Sequence, residues 1–420
     1  MTIFAHQGYL DKHRFLPRQV GIPPLSELKL VVVIPVFKEP NLLETLASLE
    51  ACHPPQGGVE VLLVFNASTR HASEIISLQE QGIAQVQAWI TQLPRAHTYH
   101  ILSCLDLPPK HAGVGLARKI GLDEAVDRLQ QAGQAEGILA CLDGDSLVEP
   151  TYLQCIEEAF RRRPRLEALS IRFAHPLEGS QYEASIYQGI IRYELFLRYY
   201  VEGLRKAGFP FAFHAVGSAM AVRAQAYQKY GGMNRRKAGE DFYFLQKFMA
   251  GEQLAELQNT LVIPSPRPSD RVPFGTGKAI QDWLNGEQKT WETYDPRAFE
   301  VLRTWIQSLP AWREGIPTDL PAAIYQFLEQ ENFSRAYSDI RQHAKDEKRF
   351  RKRYFQWLDG LKVLKFIHFL HEEIFSKLPL LEAVAEILPV TNHPSHDNPY
   401  ISWLTMYRDK QASQSWQSRY

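Results

Sequence analysis

The 420-residue chain is longer than one ordinary domain, and with 45% hydrophobic and 22% charged residues it has a globular composition. That balance excludes disordered, collagen-like and coiled-coil classes. Basic and acidic residues number 47 each, so no global field recruits nucleic acid, and any bound anion must be held locally.

Cys52, Cys104, Cys141 and Cys155 show no CxxC or zinc-like spacing and are expected as reduced thiols rather than disulfides or metal ligands. The opening MTIFAHQGYLDKHRF puts charges and histidines where a signal peptide needs an apolar run. No stretch of about 18 uninterrupted apolar residues occurs, and a cytoplasmic address is expected. Residues 1–28 read as an N-terminal extension.

Residues 29–37 are a β-branched run, the pattern of a buried parallel strand. Lys38, Glu39 and Pro40 then open a helical pattern with Leu42, Leu43, Leu46 and Leu49 on one face. Val59–Ser68 is a second strand followed by an amphipathic stretch, and His97–Leu107 is a third. The helical segment Val114–Ala132 precedes a fourth strand within Gly137–Ser146. Strands alternating with helices predict an α/β fold with a mostly parallel sheet, whose ligands bind beyond the carboxyl ends of the strands. Polar residues just after each strand are therefore the first candidates.

Beyond Pro150 the pattern predicts a helix over Tyr152–Arg163, a strand in Arg165–His175 and a long helix over Tyr182–Leu204. Ala212–Met233 reads as a glycine-containing loop, a strand, a helix and a Gly-Gly turn. Gly239 then opens a helix with acids in its first turn, where the helix dipole favours them. Leu261–Gly277 is loop-like, being rich in proline and glycine. From Thr290 onward the periodicity is helical, with Leu302, Trp305, Ile306 and Leu309 on one apolar face and Leu361, Leu364, Ile367 and Leu370 on another. The expected organisation is an α/β domain over 29–285 and an all-helical module over 286–420.

Asp143-Gly144-Asp145-Ser146 closes the fourth strand. Two carboxylates in a turn can converge on one hard cation, with a diphosphate supplying further oxygens; the alternative is an Asp-Gly turn with solvated acids. Gly113 and Gly115 precede a helix bearing Arg118 and Lys119, either a backbone approach to phosphate or a loop before a solvated basic helix. Glu240 and Asp241 are either capping charge or a proton acceptor for an attacking hydroxyl. Arg267, Ser269, Asp270, Arg271 and Lys278 lie in a Gly/Pro-rich segment suited to close over a diphosphate. Its GTGK end lacks the spacing of a P-loop, which rejects an ATPase.

Taken in order, VVVIPVFKEP, VLLVFNAST, GVGLARKIGLDEA, LACLDGDSLVEPTYL, AVGSAMAVRAQAYQKYGGMN and GED resemble the family 2 glycosyltransferases of the GT-A fold, over about residues 29 to 250. The resemblance implies a sugar transfer from a nucleotide-diphosphate donor to an unidentified acceptor hydroxyl, a saccharide, lipid-linked or small molecule, with inversion. It implies Mn²⁺ or Mg²⁺ as cofactor. By position, Pro35, Val36 and Glu39 match the motif at the base and ribose, and Asn66, Ala67 and Ser68 replace the usual acidic turn after the second strand. Gly115, Arg118 and Lys119 would lie near the diphosphate and Arg271 over it. Asp145 would be the direct metal ligand, with Asp143 facing ribose or metal, and Asp241 the general base beside Glu240.

Two rivals stay open: a sugar-nucleotide pyrophosphorylase, disfavoured by the lack of a Gly-rich basic loop after the first strand, and an inactive sugar- or partner-binding member. In the helical module, Arg349, Arg351, Lys352 and Arg353 precede an aromatic amphipathic stretch, compatible with peripheral contact to a membrane surface or with a helix packed on protein. His393 and His396 read as loop residues rather than metal ligands.

Overall fold

The computed structural model describes residues 4–249, 253–271, 275–286, 290–388 and 396–413. Eight strands form one sheet: β1 (Leu28–Val36), β2 (Gly58–Ser68), β3 (Thr98–Leu107), β4 (Ile138–Cys141), β5 (Leu147–Val148), β6 (Ala168–Phe173), β7 (Met220–Arg223) and β8 (Leu254–Ile263). The helices are α1 (Phe4–His13), α2 (Leu42–Glu50), α3 (Ser73–Gln92), α4 (Val114–Gln131), α5 (Tyr152–Arg162), α6 (Ala184–Lys206), α7 (Ala224–Lys229), α8 (Glu240–Met249) and α9 (Thr276–Leu284). They continue with α10 (Pro296–Gln307), α11 (Ala322–Gln330), α12 (Phe333–His343), α13 (Glu347–Trp357), α14 (Gly360–Glu373), α15 (Leu380–Ile387) and α16 (Pro399–Ser413).

The sheet order is β3-β2-β1-β4-β7-β6-β8-β5. β3, β2, β1 and β4 run parallel, as do β6 and β8, whereas β7 is antiparallel to both its neighbours and β5 to β8. The expected mostly parallel sheet flanked by helices is thus present, with a helical region beyond it. β1 and β2 are buried along nearly their whole length, which is why they read as continuous apolar runs rather than alternating ones.

The chain divides into two compact units. The first holds the sheet and comprises the chain up to Glu183 with Ala215–Gln281. The second comprises Ala184–His214 with Asp282–Lys410 and is nearly all helical, so α6 leaves the sheet-bearing unit in sequence between β6 and β7.

In the first unit α4 lies against the sheet at Gly121, where a Cβ would come 2.4 Å from Val33 Cγ1 and 2.9 Å from Val64 Cγ2. Only glycine lets this helix approach so closely. Every residue of α4 from Gly115 to Leu129 is buried, charged ones included. The chain before β1 supplies the cover. Tyr9 donates to Asp123 at 3.0 Å, Arg14 pairs with Glu124 and Asp127, and Arg18 grips Asp127 through two 3.0 Å bonds. The backbone N–H groups of Gln19 and Val20 donate to Glu124 at 3.0 and 2.9 Å. The four cysteines are free thiols, three of them buried.

The second unit is built on an aromatic core. Trp305 Nε1 donates to the Tyr354 hydroxyl at 2.8 Å, and its ring meets Phe366 edge-on at 4.9 Å. Trp312 Nε1 donates to Ser308 Oγ at 2.9 Å, so both of these fully buried indoles have the partner their N–H requires. The apolar faces of α13 and α14, including Phe350, Tyr354, Phe355, Phe366 and Ile367, are buried, while Lys348, Arg349 and Lys352 are exposed. Those faces are therefore used in packing. No described helix is long and apolar enough to cross a membrane. His393 lies outside the described residues. His396 is in a loop whose ring Nδ1 accepts from the Asn398 N–H at 3.0 Å.

Candidate active site

The site is assembled where β1 and β4 end together. After Val36 the backbone turns through Lys38, which has a left-handed φ of 55°, and Glu39 follows. The acidic turn after β4 packs on this corner. A Cβ on Gly144 would come 3.1 Å from Glu39 Cγ, and the Gly144 carbonyl accepts from Thr45 Oγ1 of α2 at 3.1 Å. The turn itself is closed by the Ser146 N–H donating to the Asp143 carbonyl at 3.1 Å.

Arg118 in the first turn of α4 reaches both acidic elements. Its guanidinium donates to Asp143 on one side and to Glu240, at the start of α8, on the other. Burial works against its charge, but Asp143 and Glu240 outweigh burial and keep it protonated. A Cβ on Gly217 would lie 2.5 Å from this guanidinium, and Arg118 Nε has no hydrogen-bond partner among the described residues. At Gly115 a Cβ would lie 2.1 Å from the Arg236 carbonyl oxygen, so this glycine admits the segment that leads into α8. Burial pushes the Glu240 and Asp241 carboxyls above the ordinary range, with Arg118 opposing the shift. Asp241 Oδ1 accepts from the Phe242 N–H at 2.7 Å, and the residue is partly exposed.

The segment after β8 closes the other side. Arg267 donates to Glu39 and, at 3.1 Å, to Asp145 Oδ2. Arg271 donates to Glu39 and, at 2.7 Å, to the Phe37 carbonyl. Glu39 is held near pH 7 by burial first and by Asp145 second, with Arg271 and Arg267 opposing. Asp145 is raised as well, by burial and then by Asp143. Ser269 and Lys278 lie on the same segment and the start of α9, and Asp270 is exposed.

The structure therefore brings together Glu39, Gly115, Arg118, Asp143, Asp145, Glu240, Asp241 and Arg271 around the ends of β1 and β4, with Pro35 and Val36 in the strand beneath. Lys119 is elsewhere: it pairs with Asp123 at 2.9 Å, beside Tyr9, under the N-terminal segment. Successive helical residues point about 100° apart, so Arg118 and Lys119 cannot both face the same cleft. Asn66 is buried at the end of β2 with its carbonyl accepting from Gln79.

Gln79 was not among the candidates. From α3 its amide nitrogen donates to the Val36 carbonyl at 2.8 Å and the Asn66 carbonyl at 3.2 Å, and its oxygen accepts from the Lys38 N–H at 3.0 Å. The signal in the sequence is an amide at the helical position shared by Ile75, Ile83 and Val86. Arg267 stood only in the loop reading; no local pattern marks the one cation of that loop that reaches Asp145.

The acidic turn suits a hard divalent cation. Asp143 and Asp145 each have one oxygen engaged by an arginine, and among the described residues the other oxygen has no hydrogen-bond partner. Asp145 is raised first by burial and second by the neighbouring Asp143 charge, and a bound cation would oppose both. Among the described residues no three His, Cys, Asp or Glu side chains gather into a cage, so two carboxylates would need oxygens from a diphosphate and water to complete a shell.

Solved structures similar to this chain include S. aureus TarS 1-349 in complex with UDP-GlcNAc, at 14% identity and a TM-score of 0.39, covering 91% of this chain and 90% of that one. Another is the mannosyltransferase PcManGT from Pyrobaculum calidifontis in complex with GDP-Man and Mn2+, at 15% identity and a TM-score of 0.35, covering 98% and 91%. A third is glucosyl-3-phosphoglycerate synthase from Mycobacterium tuberculosis with Mg2+ and UDP, at 12% and 0.35, covering 70% and 88%. No curated protein matches the chain. Residues 31–231 match the family described as Glycosyl transferase family 2, and the chain accordingly carries a glycosyltransferase domain of that family.

Proposed function

We propose that the domain transfers a sugar from a nucleotide-diphosphate donor to an acceptor hydroxyl, in a metal-assisted displacement that inverts the anomeric centre. The observation that carries this reading is the single buried guanidinium of Arg118 joining the Asp143–Asp145 turn to the Glu240–Asp241 helix start. A cation-binding turn and a carboxylate base thereby share one locus at the carboxyl ends of parallel strands, where such sheets take their ligands.

Asp143 and Asp145 would hold Mn²⁺ or Mg²⁺. When bound, such an ion neutralises diphosphate charge as the sugar departs. Asp241 accepts the proton of the attacking hydroxyl, and its raised affinity for protons suits that task. Glu240 is tied to Arg118 and fixes the start of α8. Arg267 and Arg271 sit on the segment after β8, turn towards the diphosphate and screen it from water. Val36, Lys38 and Asn66, stitched by Gln79, form the floor on which the nucleoside lies.

A panel of nucleotide sugars tested by thermal shift, with and without Mn²⁺, reads donor and metal together, because a ligand that binds the folded state raises its apparent stability. Stabilisation by one nucleotide sugar that needs Mn²⁺ and vanishes in Asp145→Asn supports the reading. Metal-independent stabilisation that survives Asp145→Asn overturns it.

A further inference from the structure

The cations already described are all committed: Arg118 to Asp143 and Glu240, Arg267 to Glu39 and Asp145, Arg271 to Glu39. A second set is not. Lys38 follows β1, His71 follows β2, Lys110 and His111 follow β3, and Arg235 and Lys237 precede α8. Four separate connections thus place cationic side chains along the carboxyl edge of three adjacent parallel strands, against the exposed acid Asp106 near the end of β3. No ion pair is recorded for Lys38, Lys110, Arg235 or Lys237 among the described residues.

Contacts tie these connections together. The His71 ring packs on Phe37 with centroids 5.1 Å apart, and the Lys38 ammonium lies 5.6 Å from the centre of the same Phe37 ring. A Cβ on Gly113, two residues beyond His111, would lie 3.3 Å from Lys237 Cγ. His71 Nδ1 accepts from the Ser68 N–H at 3.1 Å, which leaves the proton of the neutral ring on Nε2 as a donor. Both histidines are held below their ordinary value, by desolvation first and then by neighbouring cations: Lys38 and Lys237 for His71, and Arg235, Lys110 and Lys237 for His111. Like charges are therefore crowded within reach of each other, and Lys38 sits at a left-handed φ of 55°.

We propose that Lys38, His71, Lys110, His111, Arg235 and Lys237 form a phosphate-binding rim, separate from the two-carboxylate turn, that holds a phosphate group of a substrate in addition to the donor diphosphate. A phosphate presents several terminal oxygens and takes charge-assisted donors from several directions at once, which matches cations arriving from four connections. The rim stands on its own geometry, and only the identity of the phosphate's carrier rests on the transferase reading.

The test is binding of inorganic phosphate to the whole protein in EDTA, followed by calorimetry at fixed ionic strength. Chelation removes any metal-dependent phosphate site, so the rim is read alone. In the double variant Lys38→Gln/Lys237→Gln, phosphate binding weakens at least about tenfold. It stays at the wild-type level in Asp145→Asn, whose loss of transfer reports separately on the proposed reaction. Equal binding in the wild type and the double variant overturns the rim, as does loss in Asp145→Asn alone. Circular dichroism melting checks that both variants fold, and Lys38→Arg/Lys237→Arg restores binding if charge at these positions is what matters. Repeating the titration with Mn²⁺ and a saturating nucleoside diphosphate names the carrier. Simultaneous binding assigns the phosphate to the acceptor, and displacement by the nucleoside diphosphate overturns a site additional to the donor's.

Discussion

The guanidinium of Arg118 is bonded to Glu240, a residue 122 positions further along the chain, and is itself only 2% exposed. The same group holds Asp143, so the first turn of α4 sets the separation of the two acidic elements. Arg118→Met leaves Glu240 buried without its counter-ion. Loss of about 3–5 kcal/mol of stability is expected, read by denaturant unfolding. Arg118→Lys, a point charge without the planar fork, satisfies one carboxylate at a time; it keeps more stability than the methionine variant yet still loses transfer.

Arg267 competes for the carboxylate that the proposed metal needs. Its pair with Asp145 is partly exposed, so it is worth little in itself. Arg267→Ala is expected to tighten Mn²⁺ binding to the donor-free protein by up to about fivefold. The same change weakens donor binding by about tenfold, because a charge-assisted partner of the diphosphate is gone. Opposite signs in two titrations on one variant distinguish this role from simple loss of structure.

Gln79 satisfies three backbone groups at the ends of β1 and β2, including the N–H of the left-handed Lys38. Gln79→Leu orphans all three and should cost about 2–4 kcal/mol in unfolding experiments. Gln79→Glu keeps the acceptor for Lys38 but, when ionised, loses the donor to both carbonyls, and falls between. In both variants the KM for the donor rises more than kcat falls, since the reacting groups at Asp143 and Asp241 are untouched.

The strand-loop-helix order was legible because β1, β2 and β4 are buried on both faces and read as unbroken apolar runs. The acids at the end of β4 were legible for the same reason, standing where such a run stops, and those of α8 as acids in a helix's first turn. β8 was not legible: Glu256, Gln258 and Asn259 interrupt its pattern although most of the strand is buried, and its last residues, Leu261 to Ile263, read as the start of the loop-like segment. The burial of α4 could not be read locally. Its charged face, Lys119, Asp123, Glu124, Asp127 and Arg128, looks solvated in sequence, and what covers it comes from residues before β1. Which cation serves which carboxylate is likewise decided by pairings more than one hundred positions apart, as for Arg267 and Asp145, 122 positions apart.

Asp241→Asn removes the proposed proton acceptor and little else, because an amide oxygen can still accept from the Phe242 N–H. Transfer is expected to fall by about 10²–10⁴ while donor and Mn²⁺ binding persist. In the wild type, burial raises Asp241, so the rate should climb with pH through a range above that of an ordinary carboxylate. A flat profile there, or equal loss of donor binding in the variant, would make Asp241 a helix-start charge only.

Far from these groups, Arg128 and Glu60 form an ion pair in which both side chains are fully buried, and the Arg128 guanidinium also donates to the Ile22 carbonyl at 3.1 Å. Burial alone would raise the Glu60 carboxyl, but Arg128, His100 and the Leu25 N–H outweigh it and hold the group at about 2. A carboxylate whose folded value lies below its unfolded one, about 4.3, contributes stability in full above the unfolded value. That contribution is lost as pH falls from there through about 2. Glu60→Gln removes this dependence and leaves Arg128 buried without its anion, at a cost of about 3–5 kcal/mol at neutral pH. The variant's deficit relative to wild type should therefore shrink between about pH 4.3 and pH 2. Denaturant unfolding of both proteins at neutral pH and at pH 3 measures the difference, and a deficit unchanged between the two would show that Glu60 is not held ionised by Arg128.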